Sequence, residues 1–119
     1  MKSDLVQNKV HLIYQHLYSF YGPQGWWPLS SRAGTPGFDS RGYHKNDFSS
    51  PCTRDEIFEV IVGAILTQNT TWKNAEKALQ SMIYYVLLKP LVLMETPVNE
   101  IAGIIRSSGY YNQKAKKLK

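Results

Sequence analysis

With 119 residues, 43% apolar and 13% aromatic, the chain has side-chain volume for one modest core, and its charged fraction of 19% is too low for a disordered tail. No apolar run reaches the ~18 residues of a membrane span, no N-terminal segment has the form of a signal peptide, and the single cysteine, Cys52, excludes an internal disulfide or thiolate metal site. The net charge of +5 resides in residues 106–119, where Arg106, Lys114, Lys116, Lys117 and Lys119 meet no acid, while the other nine basic residues are balanced by nine acidic ones.

The expected fold is all-α, about four helices and the start of a fifth, in a cytoplasmic protein without membrane contact. Val6, Val10, Ile13, Leu17 and Phe20 recur at three- and four-residue spacing, and Gly22-Pro23 follows, which predicts an N-terminal helix over residues 1–22. Residues 23–52 turn to Gly, Ser, Pro, Asp and Arg with scattered aromatics, sustain neither the helical nor the strand period, and read as a long irregular surface loop. Residues 53–119 hold the helical domain. Its first helix opens on Thr53 and Glu56, spaced as a capping box, and continues as Ile57, Phe58, Val60, Ile61, Val62, Ala64, Ile65 and Leu66. A helix apolar nearly all round belongs at the centre, with Gly63 permitting close approach of a neighbour. The next helix carries Trp72, Ala75, Leu79, Met82 and Val86 on one stripe. Thr96-Pro97 then reads as the cap and first-turn proline of a helix in which Val98, Ile101 and Ile105 face inward before Gly109, and Asn112 as the cap of the last.

The central apolar helix stops on Thr67-Gln68-Asn69-Thr70-Thr71, five polar residues directly before another helix. Such a stop sits at the surface, either as a presented tip or as a solvated linker in which Thr70 or Thr71 caps the next helix, and periodicity serves both equally. The basic run at the end is likewise open between a solvated helix face and an anion-binding surface.

LTQNT after an apolar helix, then an amphipathic helix, then EIAGIIRSSGYYNQKAKKLK, resembles the N-terminal half of the endonuclease III-like DNA glycosylases, the helix-hairpin-helix superfamily of base excision repair. The resemblance runs from about Asp55 to Lys119. Gly25-Trp26-Trp27-Pro28, with LTQNT, resembles the branch that excises 3-methyladenine.

The resemblance implies a damaged nucleotide extruded from double-stranded DNA, with protein side chains filling the gap. It assigns the filling to Gln68, beside Asn69, whose amide donates and accepts towards base edges, and to Tyr110, an aromatic where many relatives carry an aliphatic wedge. Asn112 would start a helix whose free N–H groups face a phosphate, with Lys114, Lys116 and Lys117 adding sequence-independent attraction and Lys114 as the leading backbone contact. Trp26, Trp27, Pro28 and Trp72 would line the base pocket, where aromatic faces attract a positively charged methylated purine by ~0.5–2 kcal/mol; core packing or a loop clamp is the alternative for the tryptophans.

In the family resembled, the catalytic aspartate, the lyase lysine, the hairpin glycines and the iron-sulfur cysteines follow the QKA helix. The chain is therefore expected to carry no catalytic residue, metal ligand or cofactor, to be inactive alone, and to act with the missing C-terminal half. The competing expectation is a non-catalytic helical module that binds DNA or a protein.

Overall fold

A computed structural model describes residues 1–119 as six α-helices and two single 3₁₀ turns with no strand, so the fold is all-α. The chain divides into two units, residues 1–50 and 51–119. No helix is long and apolar enough to cross a membrane.

The first unit opens with α1, Lys2–Tyr21, closed by Gly22 at φ 64°, whose N–H donates to the Tyr18 carbonyl at 2.8 Å. The predicted stop is where the helix ends, yet Val6, Val10, Ile13 and Leu17 are all more than half exposed. Beyond α1 the chain lacks a regular period, as expected, but it is cross-tied. Leu29 N–H donates to Gly42 O at 2.9 Å, Asp39 N–H to Tyr43 O at 2.8 Å, and Asn46 N–H to Pro23 O at 2.8 Å. The Asp39 carboxylate accepts from the N–H groups of Arg41 and Tyr43, and these bonds, the one from Arg41 foremost, hold its pKa below the usual aspartate value. Gly42 is obligatory: at φ 87° it lies against Leu29, and a Cβ would fall 2.3 Å from that residue's carbonyl oxygen. His44, buried and stacked on Phe38, contacts the Trp27 carbonyl through Nε2 at 2.9 Å, which requires the proton on that nitrogen.

In the second unit α2, Arg54–Leu66, and α3, Trp72–Tyr84, pack together with α5, Val98–Ile104, and α6, Tyr111–Leu118. The core they share includes Val62, Leu66, Leu79, Met82, Ile101 and Ile105. Thr53 Oγ accepts from Glu56 N–H, while the Glu56 carboxylate reaches Cys52 N–H at 3.0 Å, one residue before the expected Thr53. The expectation that α2 is buried all round is corrected, since Ile57 and Ile61, one turn apart, are 46% and 51% exposed. Only the face through Val62, Gly63 and Leu66 enters the core.

The connection after α3 also differs from the sequence reading. Val86 is not on the buried stripe: it is exposed at φ 57° as the left-handed residue that closes the helix. Leu87 N–H returns to Met82 O at 2.8 Å and Val86 N–H to Ile83 O at 3.0 Å, a Schellman ending that turns Leu87 into the core. A short helix, α4, Pro90–Glu95, then intervenes. Thr96 ends α4, its hydroxyl donating to Val92 O at 2.7 Å, and is not the expected N-cap: Pro97 occupies that place before α5, which no side chain caps.

Candidate nucleic-acid interface

The end of α2 and the start of α6 form two tips whose backbones are fixed from within. After Leu66, Thr67 N–H bonds Gly63 O and Gln68 N–H bonds Ile65 O, so the helical pattern persists for two residues and then breaks at Asn69, φ 53°. Thr71 caps α3 by accepting from Asn74 N–H, and Asn74 Nδ2 donates to Thr70 Oγ. Both threonines are thus tied to α3, and Gln68 and Asn69 are left exposed.

The second tip follows the 3₁₀ turn Arg106–Ser108. Ser108 is fully buried, its hydroxyl donating to Ile105 O at 2.8 Å. Gly109 at φ 68° and Tyr110 at φ 45°, ψ 36° carry the chain outwards, and Tyr110 is 62% exposed. A left-handed tyrosine is uncommon and costs free energy, because its Cβ crowds the following carbonyl. Each tip therefore holds one non-glycine residue in the left-handed region.

The two tips meet at one cavity of about 150 Å³, lined by Gln68, Asn69, Tyr110, Gln113, Lys114 and Lys117. Lys117 Nζ donates to Gln68 Oε1 at 3.4 Å, which leaves the amide nitrogen of Gln68 as its outward donor. No lining residue is a carboxylate. Gln113 was not anticipated; its signal was the α6 spacing 110, 113, 114, 117, which puts these residues on one helical face.

Lys114 is the main correction. Expected to reach a phosphate, it is 3% exposed, and its ammonium donates to Leu66 O at 2.8 Å and Ser108 O at 2.7 Å. Burial, with a smaller push from the Lys117 charge, holds its pKa below the ordinary lysine value. Lys116 and Lys117 are exposed. Of the remaining excess cations, Arg106 lies over the Tyr111 ring at 5.6 Å and Lys119 Nζ donates to Thr96 O at 2.8 Å. Asn112 is inside α6 rather than at its cap, because the left-handed Tyr110 starts the helix two residues earlier than that reading requires. No side chain caps α6, so its first-turn N–H groups keep no intrahelical acceptor.

The aromatic candidates divide between the units. Trp26 is 49% exposed, its ring centroid 6.2 Å from that of Trp27 and 5.5 Å from that of Tyr43, and the Arg41 guanidinium lies 5.1 Å from the centre of the Tyr43 ring. Pro28 is buried. Trp72, in the second unit, is the first residue of α3 and packs, partly buried, against the core. No group of three or more His, Cys, Asp or Glu side chains is placed to hold a metal.

Residues 62–119 match the family model described as the HhH-GPD superfamily base excision DNA repair protein. Over 110 residues, 92% of this chain, the sequence is 34% identical to a protein of Methanocaldococcus jannaschii whose name describes it as a candidate DNA repair glycosylase. The chain spans 39% of that relative's length. No solved structure matches it.

Proposed function

Because the chain belongs, through residues 62–119, to the helix-hairpin-helix superfamily of base excision DNA repair proteins, we propose that it grips duplex DNA at a damaged nucleotide and occupies the gap left when that nucleotide leaves the stack. The observation that carries this reading is the convergence of Gln68 and Tyr110, 42 positions apart in sequence, on the rim of one cavity. Gln68 presents an amide to the edge of the orphaned base, and the exposed Tyr110 ring supplies a stacking face, worth roughly 1–3 kcal/mol per base where aromatics stack on nucleic acid. The uncapped first turn of α6 and the exposed Lys116 and Lys117 hold the phosphate backbone on the same side.

An alkylated base is the substrate class we favour. Supporting it is the aromatic group Trp26, Trp27 and Tyr43, one ring of which already attracts the Arg41 cation, as it would a purine made cationic by methylation. Hydrolysis of the glycosidic bond needs a group to activate water or to stabilise positive charge on the sugar. None of the six residues at the cavity is an acid, so we assign that step to residues other than these.

Fluorescence anisotropy with an intact duplex and the same duplex carrying a tetrahydrofuran abasic analogue tests the proposal across a salt series. Wild type should prefer the abasic duplex. Gln68→Ala should remove about tenfold of that preference, the worth of roughly one hydrogen-bonded contact, and leave the intact-duplex affinity and salt slope unchanged. Equal affinity of the wild type for the two duplexes refutes the reading.

A further inference from the structure

The buried lysine of α6 has a role that neither the basic run nor family membership assigns. Lys114 Nζ is bonded to two main-chain oxygens from different parts of the fold, Leu66 O at the end of α2 and Ser108 O at the end of the 3₁₀ turn. Each oxygen lies two residues before a tip: Leu66 before Gln68, and Ser108 before Tyr110. We infer that Lys114 is a positioning residue, a cationic brace that fixes the spacing of the Gln68 and Tyr110 tips so that both enter the duplex together. This inference rests on the gap-filling reading above.

Three observations support it. An α-helix ends with carbonyls that have no partner in the helix, and the Lys114 ammonium satisfies that of Leu66, where a cation also meets the negative end of the helix dipole. Both bonds are short, as charge-assisted bonds are, and the side chain is almost wholly withdrawn from water. Finally, the tips themselves contain Asn69 and Tyr110 at positive φ, conformations that cost a residue with a Cβ and persist where the surroundings hold them. A lysine that merely added charge would need none of this. Exposed Lys116 and Lys117 meet that need without it.

The test uses the 119-residue chain with Lys114→Met, which keeps a long apolar stem and removes the donors. Affinity for the intact and the tetrahydrofuran duplexes is measured across a NaCl series. The brace predicts that the abasic preference falls about tenfold, as when one hydrogen-bonded contact is misplaced, while intact-duplex affinity and salt slope stay at wild-type values. Equal loss on both duplexes with a slope flatter by about 0.9 would identify Lys114 as a phosphate ligand and overturn the inference. An unchanged preference would overturn it too. Should Lys114→Met not fold, wild-type chain with ¹⁵N-labelled lysine decides the matter. One ammonium signal should be protected from solvent exchange and stay so, at the same shift, on binding either duplex; its release to solvent or its coupling to phosphorus refutes the brace. If wild type shows no abasic preference, the gap-filling reading fails by itself, and the lysine spectrum still judges whether the ammonium stays on the two carbonyls.

Discussion

Tyr110 combines an exposed ring with a strained backbone, and the two can be separated by substitution. At an ordinary position with negative φ, glycine is less stable than alanine by about 0.5–1 kcal/mol, because the unfolded chain gains freedom. At φ 45° and ψ 36° the Cβ of any L-residue other than glycine costs about 1–2 kcal/mol. The order therefore inverts: Tyr110→Gly should be more stable than Tyr110→Ala by roughly 0.5–1 kcal/mol, or roughly 3–6 °C in melting temperature for a domain near this size. Both variants remove the ring, so their difference reports the backbone alone. The loss of the ring is common to both and small, since 62% of the residue is exposed already.

Urea unfolding followed by circular dichroism measures the two stabilities, and anisotropy with the intact and tetrahydrofuran duplexes measures the function. Both variants should lose abasic preference to the same degree while keeping intact-duplex affinity, because each lacks the stacking face. Tyr110→Ala proving as stable as Tyr110→Gly, or more so, would show that the left-handed backbone is not strained at this tip, and the reasoning would fail.

Lys116→Ala should weaken intact and abasic duplexes alike and flatten the slope of log affinity against log salt by up to about 0.9, the value for one phosphate, and Lys117→Ala should flatten it likewise while also reducing the abasic preference, because it removes the donor held to Gln68 Oε1; a slope unaffected by either would remove α6 from the backbone contact. The stability linked to Lys114 should depend on pH in a defined sense. Its folded pKa is depressed below the 10.5 of free lysine, so between the two values the unfolded chain binds more protons than the folded one, and the stability of wild type relative to Lys114→Met should rise with pH through that window. Paired urea titrations at successive pH values check it, and a relative stability that falls through the window contradicts the burial of a charged amine.

The elements that could be read from sequence are those with a period or a cap of their own. α1 and α3 repeat apolar residues at helical spacing, and Thr53 and Thr71 cap their helices with their own hydroxyls. α4 was missed because Pro90–Glu95 is too short to show a period and because Thr96-Pro97 looked like a beginning. The hydroxyl of Thr96 turns back to Val92 instead, a choice between the last carbonyls of α4 and the first N–H groups of α5 that local sequence does not make. The apolar run of α2 suggested burial on every side, but Ile57 and Ile61 are not covered by the helices of this unit. At the site, residue types pointed to Gln68 and Tyr110 one at a time; their meeting at one cavity depends on how α2 and α6 pack, which no spacing encodes. Lys114 was misread for the same reason. A lysine belongs at the surface by default, and only the approach of the Leu66 and Ser108 carbonyls makes a buried ammonium affordable.

Charge at this site therefore acts in two ways that a net value of +5 conflates. A solvated lysine contributes to a field that reaches about a Debye length and is screened by salt; a lysine bonded to two carbonyls inside the fold contributes geometry and is screened little. Exchange of the two roles would fail in either direction. An exposed brace would lose its bonds to competing water, and a buried phosphate ligand would have to break two charge-assisted bonds before it could reach DNA. The neighbouring positions on α6 separate the roles by burial: Lys114 turns inward beside Ala115, while Lys116 and Lys117 remain in solvent, with Lys117 close enough to orient the Gln68 amide. On the proposed reading, about one turn of helix, Lys114 to Lys117, thus holds the tips apart at fixed spacing, sets the donor of one of them, and supplies solvated cations for the duplex.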